Sequence, residues 1–171
     1  MARLMARFHK IPAGLTGKSP AIWVATFFGS GLLRPASGTW GSLAALPVGY
    51  VLYAMAGFGG LVVGAGIAYA LGMWASDIWL QHDDNQDPSA IVIDEVAGLW
   101  LALAFAPASL AGWAAAFLLF RFFDIVKPWP VSWADTKLKG AEGVMADDIL
   151  AGCMSALALY LLQRYGLSLG G

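Results

Sequence analysis

Cysteine, histidine and charge are all scarce in this chain. Cys153 is the only cysteine among 171 residues, which excludes an intramolecular disulfide and a thiolate metal cluster. There are only two histidines, His9 and His82, and His82 is too isolated to support a histidine mechanism. Charged residues make up 12%, about half the usual share, and a net charge of -1 offers no basic field for nucleic acid. No linker or low-complexity tract interrupts the chain, whose length suits one domain over residues 1–171. The basic start, Met1 to Lys10, lacks the apolar core of a signal peptide and is expected to be retained.

What the chain has instead is apolar surface: 59% of its residues are hydrophobic and its mean hydropathy is +0.68. A water-soluble fold would lack the polar residues to cover that much of it. Strongly apolar segments fall at 43–57, 60–80, 91–106, 110–126 and 148–165. Helices are how such segments satisfy their backbone in lipid. The predicted fold is therefore all-α, a polytopic membrane bundle of about four to five apolar helices. Segment 43–57, at about 22 Å of helix, falls short of the ~30 Å hydrocarbon core and is expected to be re-entrant or extended upstream. The stretch 21–33 is expected to form a short interfacial segment along the bilayer surface. Gly60 and Gly64 form a GxxxG pair suited to close helix packing.

Basic residues orient such a bundle, because loops rich in Lys and Arg stay in the cytoplasm. If five segments span and the N-terminus is inside, nine of the ten basic residues are cytoplasmic, with Arg164 alone outside. The same threading puts residues 29–42, 81–95 and 124–148 on that side. Every polar cluster then meets at one face, which argues for one site.

Four clusters carry the chemistry. In GSGLLRPASGTWGSLAALP, residues 29–47, small residues and hydroxyls lead into an apolar helix, an arrangement whose backbone N–H groups attract anions. Arg34, Thr39 and Ser42 are its phosphate candidates, with a flexible turn and N-cap as the plain alternative. In IVIDEVAGLW, Asp94 and Glu95 interrupt an apolar run. A charge at the bilayer centre costs on the order of 2.5–3.5 kcal/mol, so such residues are usually paired or functional. Gly98 follows Asp94 by four residues and opens the same helix face to close approach.

In FRFFDIVKPWP, Arg121, Asp124 and Lys127 are spaced three apart on one helix face, and Pro128 is expected to end that helix. In GAEGVMADDILAG, Asp147 and Asp148 are expected at the start of the last helix, with Gly152 four residues beyond Asp148. Helix capping is the plain reading of either acidic pair. Five carboxylates, Asp94, Glu95, Asp124, Asp147 and Asp148, are more than capping requires. Such hard oxygen donors suit Mg²⁺. Asp83, Asp84 and Asp87 read as a solvated loop, and Asp135 and Glu142 as loop residues outside the site.

The four sets resemble the phosphatidylglycerophosphatase A family over roughly residues 27–155. Membership implies a membrane-bound, Mg²⁺-dependent hydrolase of the bacterial cytoplasmic membrane. Its substrate would be the phospholipid phosphatidylglycerophosphate, cleaved to phosphatidylglycerol on the cytoplasmic side. By motif, Asp94, Glu95, Asp124, Asp147 and Asp148 become metal or catalytic candidates; Arg34, Thr39, Ser42, Arg121 and Lys127 become phosphate candidates. Ser37 departs from the family's usual proline before Gly-Thr, and Gly140-Ala141 from its Gly-Gly pair.

Other phosphatase chemistries fail on inspection. Leu159 stands where a Cys-x5-Arg nucleophile needs arginine, and Trp133 where a DxDxT motif needs aspartate. Ala151 breaks the D-x3-D spacing of CDP-alcohol phosphotransferases, and the histidines are too few for a paired-histidine site. Water activation by a carboxylate and a covalent aspartyl-phosphate both stay open. The rival from another class is a cation-coupled transporter, which expects carboxylates spread through the membrane depth.

Overall fold

A computed structural model describes residues 8–85 and 87–165 of the chain; the basic start with Arg3 and Arg7 lies outside these. The described residues form six α-helices and no strand beyond an isolated bridge between Phe8 and Leu33.

Helix α1, Pro20–Ala25, starts on proline, whose missing N–H is of no consequence in a first turn. It stops at Thr26, whose hydroxyl donates to the Ile22 carbonyl at 2.6 Å and accepts from the Gly29 N–H at 3.0 Å. Phe27, Phe28 and Gly29 then all take positive φ. The expected interfacial stretch 21–33 is thus broken into a short helix, a left-handed turn and one 3-10 turn at Ser30–Leu32. Ala21, Ile22, Ala25 and Phe27 are buried against the protein, leaving Trp23 and Phe28 on the surface.

Helix α2, Ser37–Leu80, is two arms in one run, because Ala56 and Gly57 leave helical geometry and Gly57 adopts φ 57°, ψ -141°. Glycine reaches that region without the steric penalty a Cβ brings. The arms fold back on each other: a Cβ on Gly60 would lie 2.3 Å from the Leu52 carbonyl oxygen. In a continuous helix those residues would be about 12 Å apart along the axis. The GxxxG pair accordingly serves packing, with Gly60 against Leu52 and Gly64 against Leu52 and Trp100.

Helix α3, Ile93–Ala104, is the centre of the fold, buried on nearly every side. An all-round apolar helix requires that placement. Trp100 anchors it by donating its indole N–H to the Ala45 carbonyl of α2 at 2.9 Å. Helix α4, Leu110–Val126, is capped by Ser109, whose hydroxyl accepts from the Gly112 N–H at 3.0 Å. It ends where Pro128 predicted, with Lys127 at positive φ closing it. The short α5, Val131–Lys137, leads into α6, Gly140–Arg164.

Two helices, α2 and α6, are long and apolar enough to cross a membrane. The all-α expectation holds, but not all of the expected four to five apolar helices reach that length: the 12 residues of α3 and the 17 of α4 run about 18 Å and 26 Å. Large apolar side chains stay exposed on α2, α4 and α6, among them Val63, Ile67, Leu118, Ile125 and Leu157.

Candidate active site

The carboxylates gather where α3 crosses α6. Gly98 and Gly152 make the crossing, each with a hypothetical Cβ only 2.4 Å from a carbonyl oxygen of the other helix: Asp148 for Gly98, Gly98 for Gly152. Backbone therefore touches backbone. Asp94 and Glu95 lie about one turn before Gly98, and Asp148 one turn before Gly152, so the crossing carries all three to one place. An oxygen from each lies within 4.8 Å of the other two.

Their helical positions differ from expectation in one respect. Asp94 and Glu95 occupy the first turn of α3, where a carboxylate is favoured by the exposed N–H groups. Asp147 and Asp148 do not start α6, because that helix begins at Gly140. They lie two turns inside it, so capping does not account for them. Asp148 is 3% exposed. Its Oδ1 and the Glu95 Oε2 are buried with no hydrogen-bond partner among the described residues. Acceptors left in that state favour a cation or donor in the cleft.

Two cations stand beside the group. Arg121 Nη1 is 2.6 Å from Asp124 Oδ2 and 3.8 Å from Glu95 Oε1. Lys127 donates to Asp147 Oδ2 at 2.7 Å and to Asp135. Burial works against the charge of Lys127, but the hydrogen bonds to Asp135 and Asp147 outweigh it and hold the ammonium above its ordinary value. A raised lysine pKa keeps its stabilising contribution intact below the ordinary value of 10.5, hence throughout neutral pH.

Asp94, Glu95, Asp124, Lys127, Asp135, Asp147 and Asp148 line a cleft of about 510 Å³, together with Ser37, Asp87, Thr136 and Lys139. A second cleft of about 900 Å³ shares Ser37, Ser89, Glu95 and Asp124 with it and adds His9, Arg34 and Arg121. Burial and the neighbouring Arg34 push the His9 imidazole below its ordinary value.

Not every sequence candidate reaches this place. Because α2 begins at Ser37, Thr39 and Ser42 fall within its first turns. Ser42 is fully buried and, like Thr39, lines neither cleft. Gly38 faces the site instead: a Cβ there would meet Glu95 Oε1 at 2.1 Å. Asp135, set aside as a loop residue, pairs with Lys127, and Asp87 lines the first cleft. The Lys-x7-Asp spacing across a Pro-Trp-Pro turn carries no local signal for that pair. Ser37, which departs from the family pattern, donates its hydroxyl to the Ser89 carbonyl and lines both clefts.

Replacing Lys127 with Met should destabilise the fold by about 1–2 kcal/mol. This is less than the 3–5 kcal/mol typical of a broken buried pair, because the ammonium is partly solvated. Denaturant unfolding of purified protein checks this, and Lys127→Arg should retain most of the stability.

The family described as phosphatidylglycerophosphatase A matches residues 23–163. A Haemophilus influenzae protein named phosphatidylglycerophosphatase A is 37% identical over 148 residues, covering 86% of this chain and 91% of that one. An Escherichia coli protein of the same name is 38% identical over 150 residues, 83% of each chain. A Bacteroides thetaiotaomicron protein named as a putative phosphatidylinositol-3-phosphatase is 37% identical over 145 residues, 81% of this chain and 90% of the other. No solved structure matches.

Proposed function

The chain belongs to the phosphatidylglycerophosphatase A family, and from that premise we propose that it is a Mg²⁺-dependent lipid phosphatase. It removes the terminal phosphate of phosphatidylglycerophosphate, leaving phosphatidylglycerol, as a single domain in the bacterial cytoplasmic membrane. The observation that carries the reading is the group of Asp94, Glu95 and Asp148, opening on a cleft lined by Lys127, with Arg121 in the adjoining cleft beside Glu95.

The donor set fits Mg²⁺. It offers only hard oxygens, two of them buried without partners, and three like charges this close call for a positive charge among them. Asp94, Glu95 and Asp148 would hold the ion. Bound there, it supplies positive charge to the phosphate oxygens and makes water more acidic.

The chain's own residues do the rest. Asp124 holds Arg121, and Asp135 and Asp147 hold Lys127, so both cations are fixed before charge builds on the transferred phosphoryl group. Water oxygen adds to phosphorus while the ester bond breaks toward glycerol oxygen, which leaves with a proton. Asp124 lies outside the three-carboxylate group and lines both clefts, which suits it to accept the proton lost by water and pass it to the leaving glycerol oxygen.

Helices α2 and α6 and the exposed apolar side chains support a bilayer location. The basic residues at the two clefts, Arg34, Arg121, Lys127 and Lys139, support a site on the cytoplasmic side. A transport pathway finds no support, since the carboxylates gather in one cleft instead of extending along the helices.

The test is phosphate release by purified protein stripped with EDTA. Activity on phosphatidylglycerophosphate should return with Mg²⁺ and exceed that on phosphatidic acid and phosphatidylinositol 3-phosphate measured alongside. No release with any divalent metal would sink the reading.

A further inference from the structure

The two clefts divide the charge unequally. In the smaller one carboxylates outnumber the two lysines, Lys127 and Lys139. The larger one holds the guanidinium groups of Arg34 and Arg121, with Glu95 and Asp124 on the wall it shares with the first. Arg121 is engaged with Asp124, whereas Arg34 is exposed and makes no ion pair among the described residues. The larger cleft thus holds an uncommitted fork of N–H donors, one shared wall away from the carboxylate group.

The proposed substrate has matching chemistry: a terminal phosphomonoester and, one glycerol away, a phosphodiester with two free oxygens. Resting on the function proposed above, we propose that the Arg34 cleft binds the phosphodiester while the carboxylate cleft takes the phosphomonoester. Arg34 is then a specificity residue, selecting lipids with two phosphates one glycerol apart. A guanidinium meets two phosphate oxygens with two parallel hydrogen bonds, which gives it geometric as well as electrostatic preference. Phosphatidic acid, with a monoester alone, has nothing to place against it.

The experiment compares wild type with Arg34→Gln and Arg34→Lys in mixed micelles. Arg34 is exposed and makes no ion pair among the described residues, so neither substitution breaks one there. Arg34→Gln should raise KM for phosphatidylglycerophosphate about tenfold, the effect of one charge-assisted contact, with kcat within about twofold. Inhibition by phosphatidylglycerol, which carries only the diester, should weaken to a similar degree, while inhibition by inorganic phosphate stays unchanged. Arg34→Lys should fall between, keeping the charge and losing the fork. An active wild type with unchanged KM and unchanged phosphatidylglycerol inhibition in Arg34→Gln would overturn the assignment and leave the function standing. Equal weakening of inorganic phosphate inhibition would also overturn it, by moving Arg34 to the monoester. A wild type that releases no phosphate removes the function itself, and this assignment with it.

Discussion

Replacing Asp148 with Asn should lower kcat for phosphate release on the order of 10³-fold while leaving the protein folded. That is the upper end of what losing one preorganised electrostatic group costs. The magnitude follows from placement: Asp148 is nearly inaccessible, within 4.8 Å of Asp94 and Glu95, with one oxygen lacking a partner. Asparagine has almost the same shape, so packing at the α3–α6 crossing is kept. Without a divalent cation, three desolvated carboxylates repel one another, and removing one charge relieves that repulsion. The variant should therefore unfold no earlier than wild type in EDTA, and it should gain less thermal stability from added Mg²⁺. An Asp148→Asn protein with near-normal activity would remove the carboxylate group from the chemistry.

The second large effect is expected at the helix crossing. Alanine at Gly98 would put its Cβ 2.4 Å from the Asp148 carbonyl oxygen and 2.6 Å from the Phe120 ring; at Gly152 the Cβ would be 2.4 Å from the Gly98 carbonyl oxygen. Backbone oxygens cannot rotate aside, so α3 and α6 must separate. Overpacking of this sort destabilises by about 1–3 kcal/mol. The activity loss should be larger, about 10²-fold, since displacing reacting groups by ~1 Å costs that much and the displaced residues are the carboxylates themselves. Gly59→Ala and Gly66→Ala are the controls, because a Cβ at either position meets nothing within 4 Å. If Gly98→Ala kept full activity, the crossing would not be what gathers the site.

The close spacing of Asp94 to Gly98 and of Asp148 to Gly152 was legible in the sequence, and so was the break before Pro128. Each depends on residues within a turn of one another. The bent path of 21–33 was not legible, because it requires Phe27 and Phe28 to take left-handed backbone that their side chains do not announce. Nor was the start of α6 at Gly140, eight residues before Asp148. Apolar patterning marks where a helix becomes hydrophobic, and this helix begins in polar sequence.

By itself, the sequence determined the all-helical character, the apolar surface and the carboxylates Asp94, Glu95, Asp124, Asp147 and Asp148 as the chemical resource. Composition and short-range spacing are local properties, and a chain carries them whatever its fold. The tertiary structure decided which of them act together. It grouped Asp94, Glu95 and Asp148, assigned Lys127 to Asp135 and Asp147, faced Gly38 to the site in place of Thr39 and Ser42, and opened a second cleft at Arg34. Those outcomes depend on how closely two helices approach, and that distance was set by glycines whose partners lie some fifty residues away in the chain.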